Sequence, residues 1–317
     1  MSDLDTIFDD TWPEDHRSGV IAVAGRPNVG KSTLINQILG QKIAIVTPKP
    51  QTTRKQQLGI YTEEHGQILF VDTPGLHKPH HKLGEYMIDA ARRALQDADV
   101  ILWVLDVSVM PEKPDLYIAE TLTEVRGDAP VVLALNKADL LDSAQEAKHV
   151  AAYEALVSHE MAMLVSAQEG TNVDRLVQDL LARLPTGPRY YPADQLSEVN
   201  MRFVAAEVIR EKIILHTEQE IPHSVAVEID SYREEANQTT LSAIVYVEKD
   251  SQKGIIIGKG GSMIKQIGSE ARQELVAMLD TRVHLDVRVK VLKNWRSSDK
   301  LMQRLGYRIP KDDEEQS

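Results

Sequence analysis

The sequence has no cysteine and no long hydrophobic run. The absence of cysteine excludes disulfides, thiolate metal sites and cysteine nucleophiles. Charged residues interrupt every apolar stretch, so none reaches the roughly 20 residues that a membrane-spanning helix needs. The N-terminus also lacks the basic segment and the apolar segment of a secretory signal. We therefore expect a soluble, cytoplasmic protein.

The net charge of -12 is distributed unevenly along the 317 residues. Residues 1–197 contain 18 Lys/Arg and 28 Asp/Glu, whereas residues 253–309 contain 12 and 5. A local basic surface attracts a polyanion whatever the charge of the whole chain, so the C-terminal part is the candidate for binding nucleic acid. Residues 1–17 are acidic and predict a disordered extension, and residues 310–317 form an acidic tail.

The length fits two domains, and the hydrophobic pattern changes between them. In residues 18–185 short apolar runs alternate with helical patterns, which predicts an α/β doubly wound sheet. A segment rich in proline and glycine follows and predicts a linker over residues 186–197. Residues 198–309 then predict an α+β module in the order helix, strand, strand, helix, strand. The predicted strands are 20–23, 68–71, 100–105, 131–135, 163–165, 225–229, 240–247 and 283–291; the predicted helices are 31–39, 84–95, 115–124, 144–157, 173–184, 198–215 and 263–278.

A P-loop pattern lies between the first predicted strand and the first predicted helix, which is the context that the motif requires. Gly25 permits a tight turn, and Gly30 lets the backbone approach phosphates. The amide groups of the loop and the helix N-terminus bind anionic oxygens. We expect Lys31 to reach the β- and γ-phosphates and Ser32 to bind Mg²⁺. The motif is Gly25-Arg26-Pro27-Asn28-Val29-Gly30-Lys31-Ser32.

Three further motifs follow predicted strands in a fixed order. After strand 68–71 the carboxylate of Asp72 can hold Mg²⁺, usually through water, and the N–H of Gly75 can sense the γ-phosphate. After strand 131–135 the carboxylate of Asp139 can accept from the guanine N1–H and 2-amino group, which selects GTP over ATP. The motifs are Asp72-Thr73-Pro74-Gly75, Asn136-Lys137-Ala138-Asp139 and Ser166-Ala167. In these motifs the Lys137 stem can cover the base, Asn136 can join its loop to the P-loop, and the third motif can offer a backbone N–H to guanine O6.

A Gly-x-x-Gly element precedes the predicted helix 263–278 in the C-terminal module. Such an element clamps about four nucleotides by their backbone in KH domains. Its glycines let phosphates come close, and Lys259 adds positive charge. Apolar neighbours such as Ile256 can form the floor of a base-binding groove. The candidate RNA-binding residues are Ile257, Gly258, Lys259, Gly260, Gly261 and Lys265.

These motifs resemble those of the Era family of GTPases over roughly residues 18–309. The resemblance is carried by residues 25–34, 50–54, 72–77, 187–192, 289–296 and 305–307. It implies a P-loop GTPase domain with a mixed doubly wound sheet, followed by an α+β type II KH domain. It further implies a GTP-hydrolysing, monomeric switch protein that binds the 3′ end of 16S ribosomal RNA and acts in maturation of the 30S subunit. Era proteins are cytoplasmic and can associate peripherally with the cell membrane.

The resemblance also assigns catalytic residues. Thr53 matches the switch I threonine that binds Mg²⁺ in the GTP state, although a turn with exposed hydroxyls is the alternative. Lys31, Thr53 and Gly75 are then the catalytic candidates. Leu76 stands where Ras-type enzymes have a glutamine that orients water, and it cannot polarise water. Asn28 matches an asparagine that binds K⁺ in some related GTPases, and a turn asparagine is the alternative.

Other interpretations remain open for single residues and for the whole chain. Trp295 can stack an RNA base or pack on the final helix. His77, His80 and His81 are close in sequence but lack a carboxylate that would complete a metal site. A tRNA-modifying relative would need a C-terminal cysteine, and a tandem relative would need a second P-loop. An RNA-binding protein with a vestigial nucleotide site is the remaining alternative.

Overall fold

The computed structural model describes residues 12–47, 49, 52–75, 82–193, 195 and 200–307. They form two compact units. The first unit contains residues 12–44, 56–75, 91–193 and 195. The second contains the remaining described residues, including residues 45–47, 49, 52–55 and 82–90, which precede the C-terminal module in the chain. No helix of the described residues is long and apolar enough to cross a membrane.

The first unit is built on a six-stranded sheet. The strands are β1 (Arg17–Ala24), β2 (Gln57–Glu63), β3 (Gly66–Asp72), β4 (Val100–Asp106), β5 (Val131–Asn136) and β6 (Met161–Leu164). Their order is β2-β3-β1-β4-β5-β6, with β2 antiparallel to β3 and all other neighbours parallel. The helices are α1 (Lys31–Leu39), α2 (Lys82–Gln96, in the first unit from Ala91), α3 (Lys113–Val125), α4 (Glu146–Glu154) and α5 (Val173–Leu181).

Two apolar layers cover the faces of this sheet. Along β1, Ile21 and Val23 pack into one core and Ala22 and Ala24 into the other. Every residue of β4 is buried, which is typical of a central parallel strand covered by helices on both faces. The parallel strands therefore end at one edge of the sheet, and the loops that follow them meet there.

The second unit has a three-stranded sheet with the order β7-β8-β9. Its elements are α6 (Met201–His216), α7 (Ile221–Ser224), β7 (Ala226–Glu235), β8 (Gln238–Val247), α8 (Asp250–Ile257), α9 (Ser262–Leu279), β9 (Arg282–Val291) and α10 (Asp299–Arg304). β7 and β8 are antiparallel, and β8 and β9 are parallel. Apolar residues of α6, α9 and β8, such as Ile209, Ile267 and Val245, form its core. The helix that was predicted from residue 198 starts at Met201 among the described residues, after the Asn200 side chain accepts from the Arg202 backbone N–H at 2.8 Å.

Several boundaries differ from the sequence-based expectations. The strand β2 was not predicted at all. The helices α4 and α5 end at Glu154 and Leu181, earlier than expected, and β7 starts at Ala226 and continues to Glu235, beyond the predicted end at residue 229. Leu76 and the three histidines at 77, 80 and 81 lie outside the described residues.

Candidate nucleotide site and nucleic-acid interface

The P-loop connects β1 to α1, and its glycines are required by close contacts. Gly30 has φ 100°, and a Cβ at this position would lie 2.3 Å from Nδ2 of Asn136. A Cβ on Gly25, with φ 148°, would lie 2.5 Å from the carbonyl oxygen of Val104. Only glycine combines this backbone conformation with such close approach. The loop therefore packs directly against the ends of β4 and β5.

Lys31 is buried at the start of α1. Its Nζ donates to the carbonyl oxygens of Gly25 at 3.0 Å and Arg26 at 3.1 Å. Burial lowers the pKa of Lys31 from 10.5 to about 8, an effect that Asp72 opposes and Arg26 reinforces. An ammonium group with so little water around it gains strongly from an arriving phosphate. Lys31 is therefore suited to bind an anion inside the loop.

Ser32 and Asp72 meet at the end of β3. The Oγ of Ser32 donates to Oδ2 of Asp72 at 2.8 Å, and Asp72 is almost completely buried. A hydroxyl oxygen beside a carboxylate is the hard-oxygen donor set that suits Mg²⁺. The residues that the sequence assigned to the metal from these two motifs therefore fit it. A Cβ on Gly75 would lie 3.0 Å from the backbone nitrogen of Pro27, so the loop after β3 lies against the P-loop.

Asn136 connects three of the predicted motifs. Its Nδ2 donates to the Val29 carbonyl oxygen at 2.7 Å, and its Oδ1 accepts from the Ala167 backbone N–H at 2.9 Å. In the same loop, Oδ1 of Asp139 accepts from the Ser166 hydroxyl at 2.6 Å. The structure thus brings together the P-loop, the loop after β5 and the loop after β6, as expected for a site that encloses one nucleotide.

Thr53 belongs to the second unit, unlike Ser32 and Asp72. It is buried between two backbone anchors. The carbonyl oxygen of Thr52 accepts from Arg210 of α6, and Arg54 donates to the carbonyl oxygens of Val225 and Pro222 at 2.6 Å each. Arg54 is itself buried, which lowers its pKa. The structure therefore shows Thr53 within a segment that packs on α6 and α7, and its role as a metal ligand stays a prediction.

The Gly-x-x-Gly element forms the connection between α8 and α9. Gly258, Gly260 and Gly261 all have positive φ, at 73°, 60° and 81°. A Cβ on Gly258 would lie 2.7 Å from Cβ of Met263, so this glycine is also required for space. Lys259 is exposed, and so is Lys265 in the first turn of α9. The element presents a glycine backbone and two cations to solvent, and this arrangement can bind a phosphate backbone.

Two of the apolar residues considered for RNA contact, Ile256 and Trp295, have structural roles instead. Ile256 is completely buried in the core of the second unit, so the expectation that it forms a groove floor was wrong. The Ile257 side chain is half-buried and stays a candidate. Trp295 is also completely buried; its Nε1 donates to the Ser224 carbonyl oxygen at 2.8 Å, and its ring stacks on Tyr307 at 5.8 Å between centroids. The packing interpretation of Trp295 is confirmed, and a buried ring cannot stack an RNA base.

A set of carboxylates beside the P-loop was not predicted from the sequence. The guanidinium of Arg26 faces Asp106, Glu112 and Asp115 rather than the interior of the loop. Lys137, in the loop after β5, donates to Asp106 at 2.6 Å. No short motif connects these residues, because they come from four different segments of the chain.

Comparisons with known proteins agree with this geometry. A model of the 50S ribosome-binding GTPase family matches residues 20–137, and a KH domain model matches residues 220–296. The fold and the loops define a P-loop GTPase joined to a KH domain.

The similarity to full-length relatives is more specific. GTPase Era of Heliobacterium modesticaldum is 45% identical over 295 residues, which cover 93% of this chain and 98% of that protein. A variant of Aquifex aeolicus Era bound to GDP and AlF4⁻ is 34% identical, with a TM-score of 0.86, and covers 92% of this chain and 100% of its own. A structure of Era with MgGDPNP and nucleotides 1506–1542 of 16S ribosomal RNA has the same identity and TM-score. The match covers 93% of this chain and 100% of that one. The chain belongs to the Era family of GTPases, which confirms the resemblance, the fold class and the GTPase activity.

Proposed function

We propose that this GTPase binds 16S ribosomal RNA near its 3′ end, with Mg²⁺ at its nucleotide site, and acts in maturation of the small ribosomal subunit. The observation that carries the proposal is the combination, in one chain, of a connected nucleotide site and an exposed Gly-x-x-Gly element. The Era structure that holds both MgGDPNP and a 16S RNA fragment supports it by similarity.

Hydrolysis needs a water oxygen to bond to the γ-phosphorus while the bond to the β–γ bridging oxygen breaks, which gives GDP and phosphate. Lys31 and the N–H groups of the P-loop meet the negative charge on the transferred group. Ser32, Asp72 and Thr53 would hold Mg²⁺, which neutralises charge on the β- and γ-phosphates. Gly75 would sense the γ-phosphate through its N–H, so that the loop after β3 differs between the GTP and GDP states.

RNA binding is assigned to the exposed end of α8 and the start of α9. Lys259 and Lys265 supply charge, and Gly258, Gly260 and Gly261 allow phosphates to approach the backbone. The basic composition of residues 253–309 supports the same surface. Because phosphate contacts release counterions, the affinity for RNA should fall as salt rises.

The test uses single-stranded RNA with the sequence of the 16S 3′ end. Replacing Lys259 and Gly260 by Asp should abolish binding, because carboxylates repel phosphates and a side chain blocks their approach. Lys300→Asp is the control, since it reverses the charge of another exposed lysine, in α10. Retained affinity of the double variant in filter binding would move the RNA site elsewhere.

A cellular test addresses subunit maturation. Cells depleted of this protein should accumulate unprocessed 16S RNA and lose 30S subunits. The wild-type chain and Lys300→Asp should restore both, whereas the double variant should not. Restoration by the double variant would separate the maturation role from RNA binding at this element.

A monovalent cation is the second cofactor that we propose. Asn28 has φ 66° in the P-loop, a conformation that asparagine tolerates in turns, so its geometry fits either interpretation. If it helps to bind K⁺, phosphate release should be faster in KCl than in NaCl at equal ionic strength, and Asn28→Ala should remove the difference. Equal rates for the wild type would exclude the cation. A monomeric state and peripheral membrane association remain predictions from the family resemblance.

A further inference from the structure

A group of five charged side chains links the two ends of the nucleotide site; we call it the carboxylate cluster. It consists of Arg26 in the P-loop, Asp106 at the end of β4, Glu112 and Asp115 at the start of α3, and Lys137 in the loop after β5. Two cations and three carboxylates thus lie together, and each cation lies within ion-pair distance of at least one carboxylate. The cluster has no role in the chemistry described above.

Asp106 is held on both carboxylate oxygens. Its Oδ1 accepts from the backbone N–H of Ser108 at 3.2 Å and from the Ser108 hydroxyl at 2.5 Å. Its Oδ2 accepts from Nζ of Lys137 at 2.6 Å and lies 3.9 Å from Nη2 of Arg26. Hydrogen bonds and these cations lower the pKa of Asp106 against the opposing effect of burial. The side chain is only 11% exposed and is held by these contacts, so its charge has a fixed position between the P-loop and the loop after β5.

Arg26 is oriented by a second carboxylate. The Asp115 side chain is 0% exposed, and its Oδ1 lies 3.3 Å from Nε of Arg26. The other oxygen, Oδ2, accepts from the Glu112 backbone N–H at 2.9 Å and caps α3. Burial raises the pKa of Asp115, and Arg26 counteracts that shift. The Glu112 carboxylate is 3.1 Å from Arg26 but 57% exposed. Because water screens such an ion pair, it contributes little to the free energy of folding.

The geometry points to Asp106 as a positioning residue for the bound nucleotide. One carboxylate holds the lysine whose stem is expected over the guanine base and also approaches the arginine of the P-loop. Without Asp106, Lys137 loses its hydrogen-bonded partner and Arg26 loses one of its three neighbouring carboxylates. Both loops then have more freedom, and the bound nucleotide leaves faster. Asp106 acts mainly through Lys137, at 2.6 Å, rather than through Arg26, at 3.9 Å, and it does not contact the reacting phosphate.

The test is the dissociation rate of fluorescently labelled GDP, measured by stopped flow with excess unlabelled GDP. Asp106→Asn keeps the shape of the side chain and removes its charge, and it should accelerate dissociation by about tenfold, since charge-assisted hydrogen bonds are among the stronger ones. Lys137→Met should also accelerate it. In the double variant the Asp106 change should add little, because Asp106 acts largely through Lys137. A rate for Asp106→Asn equal to the wild type, or fully multiplicative effects, would overturn the proposal.

Glu124→Gln is the matched control, because it removes another carboxylate of α3 that pairs with an arginine, Arg92, at 3.3 Å outside the cluster. Its dissociation rate should equal that of the wild type. A second readout separates positioning by Asp106 from recognition of the base by Asp139. Inosine diphosphate lacks the 2-amino group that Asp139 is expected to read, yet Asp106→Asn should accelerate its release by the same factor as that of GDP. A lower melting temperature with an unchanged dissociation rate would assign Asp106 a structural role only.

A milder variant serves if Asp106→Asn does not fold. Ser108→Ala removes one hydroxyl donor to Asp106 and leaves the charge in place. It should accelerate GDP release by less than the roughly tenfold expected for Asp106→Asn. The acceleration should disappear when Lys137 is already methionine. Persistence of the acceleration in the Lys137→Met background would contradict the proposed route through Lys137.

Discussion

Raising the pH above neutrality should weaken nucleotide binding through Lys31. Burial gives the nucleotide-free protein a Lys31 pKa of about 8, while phosphates beside the ammonium group favour its charged form. Nucleotide binding must therefore take up a proton wherever the free protein is partly deprotonated. The sign follows directly: affinity is highest below pH 8 and is lost as the pH rises through the pKa of the nucleotide-free state.

The magnitude follows from the fraction of Lys31 that carries a proton. With a pKa of about 8, affinity should fall about fourfold between pH 7.0 and 8.5, or about 0.8 kcal/mol. At pH 8 about half a proton should be taken up per nucleotide. The affinity measurements end at pH 8.5, because the guanine N1 remains protonated up to that pH and Asp139 therefore keeps its expected partner.

Calorimetry of GDP binding in two buffers with different ionisation enthalpies measures the proton uptake directly. The control is Lys31→Met, which should bind more weakly but show no uptake beyond that of the phosphate groups. If the wild type takes up no proton at pH 8 and binds equally at pH 7.0 and 8.5, a partly deprotonated Lys31 that becomes charged against the phosphates is refuted.

Four further results are expected. Gly30→Ala should weaken nucleotide binding at least about tenfold in calorimetry, because its Cβ would displace Asn136 and strain a backbone at φ 100°. Asp139→Asn should lose roughly 2–4 kcal/mol of GTP binding and shift preference toward xanthosine triphosphate, whose 2-oxo group suits an amide donor; unchanged GTP affinity would refute the assignment. Arg54→Met should destabilise the second unit by about 2–4 kcal/mol in urea unfolding, since it leaves two carbonyl groups without donors. Leu76→Ala should change slow basal turnover by less than about tenfold, roughly 1.4 kcal/mol, whereas Lys31→Ala should be far more damaging; a collapse with Leu76→Ala would show that this side chain positions the water.

The sequence predicted best what depends on contiguous residues. Gly25 and Gly30 of the P-loop and Gly258 of the Gly-x-x-Gly element were recognisable because each combines positive φ with a close approach that leaves no room for a side chain. The fully buried run of β4 was equally clear, since apolar residues on both faces produce an unbroken pattern. The link from Asn136 to the P-loop was also expected, because parallel strands deliver their following loops to one edge of the sheet.

Features that depend on pairing between distant residues were missed. The edge strand β2 is defined by its antiparallel register with β3, and its own sequence carries no strong alternation. The cluster around Asp106 joins side chains from four segments, and each of them alone resembles a solvated charge. The burial of Ile256 could not be told from groove exposure, because apolar residues suit both positions.

Phosphate release from GTP, measured with and without RNA of the 16S 3′ end, tests the proposed function most directly. We expect slow hydrolysis that Lys31→Ala abolishes. The rate should change when RNA saturates the wild type, and it should not change when Lys259 and Gly260 are both Asp. A wild-type rate that is the same with and without saturating RNA would contradict the expectation that this switch protein couples GTP hydrolysis to RNA binding. Hydrolysis that survives in Lys31→Ala would contradict the assignment of the nucleotide site.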